Sequence, residues 1–187
     1  MDNKTGLKIL LVTMLFPNSE EPAKTPFTLQ LAQELSKYAQ IKIIAPLRKF
    51  PMGRYLRGIT RGQADIEKIP LFEKFKGIDV YHPKIFLPPK MLRFLHGWLY
   101  FLGVKDLVSR LVKESGVDLI LSPYLYPDGF ASVFLSKSLK KPVVLEARGC
   151  DVNLLTKYAV RRRLIKYACE NADAIITVNG DLKNKLV

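Results

Sequence analysis

Short apolar runs, each followed by a loop rich in proline, glycine or polar residues, recur along this chain of 187 residues. Their length and composition are typical of buried strands, and they cover residues 8–13, 41–45, 77–82, 118–122, 142–147 and 173–178. Segments with apolar residues at helical spacing separate most of them, at 26–39, 90–112, 128–139, 154–170 and 180–187. Because strands and helices alternate, the pattern predicts an α/β fold with a doubly wound, mostly parallel, Rossmann-like sheet.

The first three elements form a β–α–β unit, which implies two parallel strands joined by a right-handed crossover. Thr25 is a candidate N-cap of the first helix, and Pro26 occupies the first helical position, where its missing N–H has no cost. Between residues 47 and 76 the pattern is weak and indicates a loop with at most one short segment of regular structure. The long helix at 90–112 is expected to break or kink near Gly103. The whole chain, 1–187, has the length of one domain.

The formal net charge is +13, and it is unevenly distributed. Between residues 47 and 114 there are 14 lysines or arginines against 6 acids, and a second basic cluster follows at 161–163. Such an excess attracts polyanions, anionic lipid or phosphorylated ligands. With a polar start, no apolar run long enough to span a bilayer and two isolated cysteines, the sequence favours a cytoplasmic location, extending to the inner face of the membrane.

Several enzyme classes are disfavoured by missing motifs. The turn after the first strand has no glycine, which argues against a dinucleotide-binding Rossmann protein, and no phosphate-binding P-loop is present. There is no Gly-x-Ser-x-Gly elbow of a serine hydrolase. The two histidines and two cysteines do not form a metal-binding pattern, so neither a metal site nor a cofactor is expected.

Uncommon residues follow two of the predicted strands at the edge where open α/β sheets bind ligands. Arg148, Gly149 and Asp151 come after the strand at 142–147. An arginine beside a glycine suits a phosphate or carboxylate, but Arg148 and Asp151 are equally suited to pair and cap the next helix. After the strand at 118–122, the segment 124–129 contains Pro-Asp-Gly, which on spacing alone indicates a turn.

The order of motifs in residues 118–187 resembles the N-terminal domain of GT-B glycosyltransferases of the retaining, family-4 (group 1) type. The resemblance rests on the strand and Tyr-Leu-Tyr-Pro-Asp-Gly loop, the later Lys-Pro-Val-Val strand, the Arg-Gly-Cys-Asp-Val-Asn loop and the segment Ala-Asp-Ala-Ile-Ile-Thr-Val. Residues 8–46 agree in type, whereas 47–117 match only loosely. The fold it implies is the N-terminal half of a GT-B fold, without a cofactor.

The resemblance implies two acceptor-binding loops and one donor loop, with no assigned catalytic residue. The acceptor-binding residues would be Tyr124, Tyr126, Asp128, Gly129, Arg148, Gly149 and Asp151. The donor diphosphate loop would be Thr25, Pro26 and Phe27, at a helix N-terminus that favours an anion. The sequence departs from the family pattern in three places: Cys150 replaces a serine, Pro123 replaces a histidine, and the glycine pair of the donor loop is missing.

The function that the resemblance implies is transfer of a sugar, with retention, from a nucleotide-sugar to a glycan, lipid-linked or small hydroxyl acceptor. In the family the donor binds mainly in a C-terminal domain, which does not follow Val187. This chain alone is therefore expected to be inactive in a hexosyltransferase reaction. Nucleic acid is not an expected partner.

An anionic membrane surface is a further candidate partner. Residues 90–102 form an amphipathic helix with a wide apolar face bordered by Lys90, Arg93 and Lys105, as in helices that lie in the membrane interface. The same face is more often that of a helix packed on the sheet. The alternative to the enzyme is therefore a basic, non-catalytic α/β module that binds anionic membrane or polyanions.

Overall fold

The computed structural model describes residues 6–49, 66–88 and 90–186. Within these residues, nine strands form one seven-stranded and one two-stranded sheet. The strands within these ranges are β1 (Lys8–Val12), β2 (Gln40–Ile44), β3 (Leu47–Lys49), β4 (Phe72–Phe75), β5 (Ile78–Tyr81), β6 (Lys84–Phe86), β7 (Leu119–Ser122), β8 (Val143–Ala147) and β9 (Ala174–Thr177). The six strands expected from the apolar runs are all present.

The helices are α1 (Pro26–Ser36), α2 (His96–Ser115), α3 (Phe130–Leu139), α4 (Cys150–Asn153), α5 (Ala159–Glu170) and α6 (Gly180–Leu186). Two 3₁₀ segments, Lys90–Leu95 and Leu155–Lys157, precede α2 and α5. A π-turn at Leu125–Gly129 precedes α3. The predicted helices at 128–139 and 154–170 therefore begin later than expected, because the π-turn precedes α3, and α4 and a 3₁₀ segment precede α5.

The large sheet has the strand order β4-β5-β2-β1-β7-β8-β9. All its pairs are parallel except β4 with β5. The chain moves from β1 towards β5 on one side and, through β7, towards β9 on the other. The strand order thus reverses between β1 and β7, and such a reversal opens a crevice at the carboxyl ends of the two strands.

Helices cover both faces of the sheet, and each face has its own apolar core. One core lies beneath α2, α3 and α5, with Tyr100, Phe130 and Ile165 among its buried residues. The other lies beneath α1, and alternate residues of β1 and β2 point into it. Because β1 contributes to both cores, four of its five residues are buried, as expected for a central parallel strand. The predicted doubly wound α/β fold is confirmed.

Between residues 47 and 76, where a loop with at most one short segment was predicted, the structure has two short strands, one at each end. Residues 47–49 form β3, which pairs with β6 beyond the carboxyl edge of the large sheet, and residues 72–75 form β4 at the sheet margin. Both strands are very short, and β4 alternates between exposed and half-buried positions, so neither produces an apolar run. The middle of this segment, 50–65, lies outside the described residues.

The expected break near Gly103 was also wrong, since α2 continues through this residue. The interruption lies earlier, at Leu92 in the 3₁₀ segment, where φ is −97° and ψ is 23°. Gly103 serves packing instead: a Cβ added there would lie 2.5 Å from Cγ2 of Ile85 on β6. The glycine lets α2 approach the small sheet closely, and this contact positions β6.

Replacing Gly103 with alanine is therefore expected to destabilise the fold by about 1–3 kcal/mol, as overpacked contacts usually do. The matched control is Gly180→Ala, since no atom lies within 4 Å of the added Cβ at Gly180. Urea unfolding followed by circular dichroism measures both. The packing account fails if Gly103→Ala is as stable as wild type, because alanine is otherwise the better helix former.

Candidate ligand-binding crevice

Three loops meet at the carboxyl edge of the sheet, around the reversal point between β1 and β7. They follow β1, β7 and β8, and cover residues 13–25, 123–129 and 148–152. The first two are joined directly, because the backbone N–H of Met14 donates to Oδ1 of Asp128 at 2.8 Å. The second and third are joined through Asp151, so the three loops form one connected structure.

The Asp151 carboxylate is fully buried and holds two of these loops in place. It accepts hydrogen bonds from four backbone N–H groups, those of Leu125, Arg148, Gly149 and Val152, at 2.9–3.1 Å. A carboxylate with several N–H donors needs no cationic partner to remain buried. Asp151 therefore anchors the loops through backbone N–H groups, a role that the sequence did not predict.

Arg148 does not pair with the side chain of Asp151. Its guanidinium forms a two-point contact with Glu146 on β8, with both N–O distances at 3.1 Å. A third nitrogen donates to the hydroxyl of Thr28 in the first turn of α1 at 3.3 Å. The guanidinium thus connects β8 to α1 across the crevice, and both members of the ion pair retain some exposure, 15% for Arg148 and 12% for Glu146.

Asp128 is the second buried carboxyl of the crevice, with 1% exposure. Burial raises its pKa to about 7, although the N–H of Met14 partly stabilises the charged form. Tyr100 of α2 lies beside it and interacts with it electrostatically; burial and this carboxyl raise the pKa of the Tyr100 phenol. The phenol oxygen has no hydrogen-bond partner of good geometry among the described residues. Asp128 therefore changes its charge near neutral pH inside the wall of the crevice.

Tyr126 and Gly129 belong to the core, not to the crevice surface. The Tyr126 hydroxyl donates to the carbonyl of Arg93 at 2.8 Å, and burial raises the pKa of this phenol to about 12. The peptide bond between Tyr126 and Pro127 is cis. A Cβ on Gly129 would lie 2.7 Å from the carbonyl oxygen of Tyr124, so this glycine is needed for a close backbone approach.

Tyr124 and Gly149, like Arg148, are partly exposed at the surface of the two loops. Tyr124 is half-buried, and its pKa is raised by burial and by the nearby thiol of Cys150 and carboxyl of Asp151. Gly149 has φ of 110°, a conformation that side chains rarely adopt. Cys150, next to it, is exposed. With the Arg148–Glu146 pair, these residues form the polar part of the crevice that a ligand can contact.

The loop before α1 does not cap the helix in the expected way. Thr25 has φ of 45° and makes no side-chain capping bond, so its predicted capping contact is absent. Left-handed backbone is uncommon for a β-branched residue. The hydroxyl of Thr25 and Nδ2 of Asn18 are buried and have no hydrogen-bond partner among the described residues. Pro26 and Phe27 are exposed, Phe27 by 73%.

Sequence reasoning missed Glu146, Thr28 and Tyr100, the residues that hold Arg148 and flank Asp128. Glu146 gave a signal, because it is a charged residue inside an otherwise apolar strand, two positions before Arg148. Thr28 and Tyr100 gave no signal in the sequence, since each lies within a helical pattern that predicts packing.

In the described ranges, no group of three acidic, histidine or cysteine side chains is placed to hold a metal ion. No helix there is long and apolar enough to cross a membrane.

The strand order, the two layers of helices and the crevice define a Rossmann-like α/β domain. Two curated proteins are similar in sequence to most of the chain. An uncharacterized glycosyltransferase of Methanocaldococcus jannaschii is 28% identical over 154 residues, which cover 78% of this chain and 43% of that protein. TuaC of Bacillus subtilis, provisionally named a teichuronic acid biosynthesis glycosyltransferase, is 29% identical over 185 residues, which cover 96% and 46%.

Solved structures share the fold at low sequence identity. A UDP-N-acetylglucosamine 2-epimerase from Rickettsia bellii superposes with a TM-score of 0.55 at 12% identity, over 97% of this chain and 41% of that one. Arabidopsis thaliana UGT89C1, solved with UDP, gives 0.52 at 12% identity, over 97% and 47%. No family model matches the chain. The chain spans a little under half the length of the curated relatives that it matches.

Proposed function

We propose that this chain is the acceptor-side domain of a GT-B glycosyltransferase. The whole protein would transfer a sugar from a nucleotide-sugar to a hydroxyl of a glycan, lipid-linked or small acceptor, with retention of the anomeric configuration. Two relatives named glycosyltransferases, similar over 78% and 96% of the chain, support a transferase. A nucleotide-sugar donor agrees with the UDP bound to a protein of the same fold.

The observation that carries the proposal is the Arg148–Glu146 pair in the crevice. The guanidinium and the carboxylate lie at the strand edge where α/β folds bind ligands, and both remain partly exposed. Together they offer N–H donors and carboxylate acceptors, the two kinds of group that bind sugar hydroxyls. We therefore assign acceptor orientation to this pair.

Within this proposal the buried residues have a different task from the exposed ones. Asp151, Asp128, Tyr126 and Gly129 act as positioning residues, because their polar atoms contact the protein's own backbone or their space is filled by it. Tyr124, Gly149 and Arg148 are the residues that an acceptor would contact. The list of acceptor residues implied by the family resemblance thus divides into a surface set and a supporting set.

The donor diphosphate is proposed to approach the N-terminus of α1, at Thr25, Pro26 and Phe27. The glycine pair typical of the family is absent, yet Thr25 adopts the left-handed backbone that glycine favours. The first N–H groups of a helix and its dipole favour an anion. The unpaired hydroxyl of Thr25 adds a donor in the same loop. The leaving diphosphate would gain electrostatic stabilisation from these groups.

Arg148→Ala in the whole protein is expected to lower kcat/KM for the acceptor by about 100-fold, the range for loss of a charge-assisted contact. Arg148→Lys should recover only part of it, because lysine cannot make the two-point contact with Glu146. The control is Arg110→Ala, an exposed arginine on α2. Initial rates at varied acceptor and saturating donor measure the effect.

A loss confined to kcat/KM for the acceptor, with thermal stability retained, supports the assignment. Unchanged acceptor kinetics in Arg148→Ala would remove Arg148 from the site. An equal loss for Arg148→Ala and Arg110→Ala would show a general effect of removing positive charge, and would also contradict it.

A further inference from the structure

The loop at 13–25 leads from β1 to the N-terminus of α1, and it contains no glycine and no regular secondary structure. Ordered loops of this length are uncommon and usually functional. At its start, the N–H of Thr13 donates to the carbonyl of Ile44 at 3.0 Å. The N–H of Met14 donates to Asp128. The course of the loop from there to α1 depends on contacts with other elements of the fold.

The edge strand β4 supplies such contacts through one of its faces. Side chains alternate between the two faces of a strand, so Glu73 and Phe75 lie on the same one. Oε1 of Glu73 accepts a hydrogen bond from the backbone N–H of Ser19 at 3.2 Å. The ring of Phe75 meets the ring of Phe16 edge to face, with the centroids 6.3 Å apart. One face of β4 therefore supports the loop at two points.

Glu73 is itself held by His82, whose side chain is completely buried. Nε2 of His82 lies 2.9 Å from Oε1 of Glu73, and Nδ1 lies 2.9 Å from the carbonyl oxygen of Ala45. A carbonyl oxygen only accepts, so Nδ1 carries a hydrogen, and a second proton lies between Nε2 and the carboxyl group. The Glu73 side chain is only 13% exposed. The Glu73–His82 pair thus fixes the oxygen atom that accepts from Ser19.

Further hydrogen bonds extend this support from Ser19 to the start of α1. The side-chain oxygen of Asn18 accepts from the N–H of Glu21 at 2.9 Å. The N–H of Lys24 donates to the carbonyl of Glu21 at 3.2 Å, and their side chains form an ion pair at 2.9 Å. Lys24 directly precedes Thr25, which adopts left-handed backbone before the first residue of α1. The placement of Thr25 therefore depends on where Ser19 is held.

We propose that Glu73 and His82 are positioning residues for the nucleotide-sugar donor, because they hold the loop at 13–25 in the conformation that presents Thr25 and the N-terminus of α1. In this role neither side chain touches the ligand. A loop that is ordered before the donor binds avoids the entropy cost of ordering during binding, and its groups are already placed for the leaving diphosphate. The donor part of this inference rests on the proposed function, whereas the support of the loop does not.

Three substitutions on β4 test the proposal in the whole protein. Glu73→Ala removes the acceptor for both Ser19 and His82. Glu73→Gln is the conservative variant, because its amide oxygen can accept from Ser19 while its amide nitrogen donates to His82. Lys74→Ala is the matched control, since this neighbouring side chain lies on the opposite face of β4 and is 68% exposed.

Ser19→Pro is an independent variant that leaves the Glu73–His82 pair intact. The N–H of Glu21 donates to the carbonyl of Asn18 at 3.2 Å, so Ser19 is the second residue of a four-residue turn. Proline is favoured at this position of a turn, and it removes the N–H that donates to Glu73. This variant decides the question if Glu73→Ala does not fold.

The first measurement is hydrogen–deuterium exchange by mass spectrometry, in peptides that cover residues 13–25. Exchange should be about tenfold faster in Glu73→Ala and Ser19→Pro, the effect of one lost hydrogen bond to a charged group. The second measurement is steady-state kinetics with the nucleotide-sugar that supports transfer. In the same variants, KM for the donor should rise by about tenfold while KM for the acceptor and kcat stay within about twofold. Glu73→Gln and Lys74→Ala should resemble wild type in both measurements.

The proposal is overturned if exchange in residues 13–25 is unchanged in the folded variants among Glu73→Ala and Ser19→Pro. It is equally overturned if exchange rises but KM for the donor does not, or if both KM values rise together, since the latter indicates a general loss of structure. If the whole protein transfers no sugar, the proposed function fails together with the donor part. The exchange experiment then still decides whether the Glu73–His82 pair holds the loop.

Discussion

Replacing Asp151 with asparagine is expected to lower the free energy of unfolding by about 3–5 kcal/mol, the cost of disrupting a buried, fully hydrogen-bonded charge. The carboxylate accepts N–H bonds on both oxygens, with Leu125 on Oδ2 and Gly149 and Val152 on Oδ1. An asparagine has one acceptor oxygen, so its amide group would face an N–H donor. The two loops would lose their connection, and the crevice would lose its shape.

Urea unfolding at pH 7 measures this change, with Asp106→Asn as the control at an exposed position of α2. The control should remain within about 0.5 kcal/mol of wild type, as surface substitutions usually do. A loss below about 1 kcal/mol for Asp151→Asn would contradict the anchoring role. In the whole protein, the same variant should also lose acceptor binding, because Tyr124 and Arg148 depend on the anchored loops.

Asp128→Asn is expected to raise the free energy of unfolding at neutral and alkaline pH. The folded-state pKa of Asp128 is raised to about 7 from an ordinary value of 3.8, so the folded protein retains a proton that the unfolded chain releases. Between about pH 4 and pH 7 the wild type therefore loses stability as the pH rises. At about 1.4 kcal/mol for each pKa unit, the loss reaches about 4 kcal/mol.

Asparagine resembles the protonated carboxyl and still offers an oxygen to the N–H of Met14. The variant and the wild type should be similarly stable near pH 4. The difference in free energy of unfolding, in favour of the variant, should increase up to about pH 7 and stay constant above it. Unfolding curves at pH 4, 5.5, 7 and 8.5, with Asp106→Asn as control, measure the difference. A difference that does not change with pH would show that Asp128 has an ordinary pKa.

The sequence was sufficient to predict the fold because each central strand is buried on both faces. The runs at 8–13, 118–122 and 142–147 are almost purely apolar. When apolar runs of this length alternate with helices, few folds other than a parallel α/β sheet can bury them. β3 and β4 were not predicted as strands, because a strand of three or four residues at a sheet margin does not need an apolar run. Gly103 was misjudged because its contact with Ile85 joins residues distant in sequence.

The site was predicted only in outline, for a physical reason. Sequence pattern places Arg148 and Asp151 after the same strand, but burial decides their tasks, and burial depends on the whole fold. The Asp151 carboxylate is buried and accepts hydrogen bonds from four N–H groups, whereas the Arg148 guanidinium lies along the crevice and contacts Glu146 and Thr28. Asp128 similarly became part of the wall through Met14, a partner 114 residues away. No local pattern contains these partners.

Sugar transfer by the whole protein can be measured by incubating it with UDP-sugars and GDP-sugars and with glycan, lipid-linked and small hydroxyl acceptors, and following the products by NMR. We expect a glycoside that has the anomeric configuration of the donor, formed with release of the nucleoside diphosphate. Epimerisation of the sugar nucleotide without transfer, or the absence of any glycoside with all donors and acceptors, would contradict the proposed function.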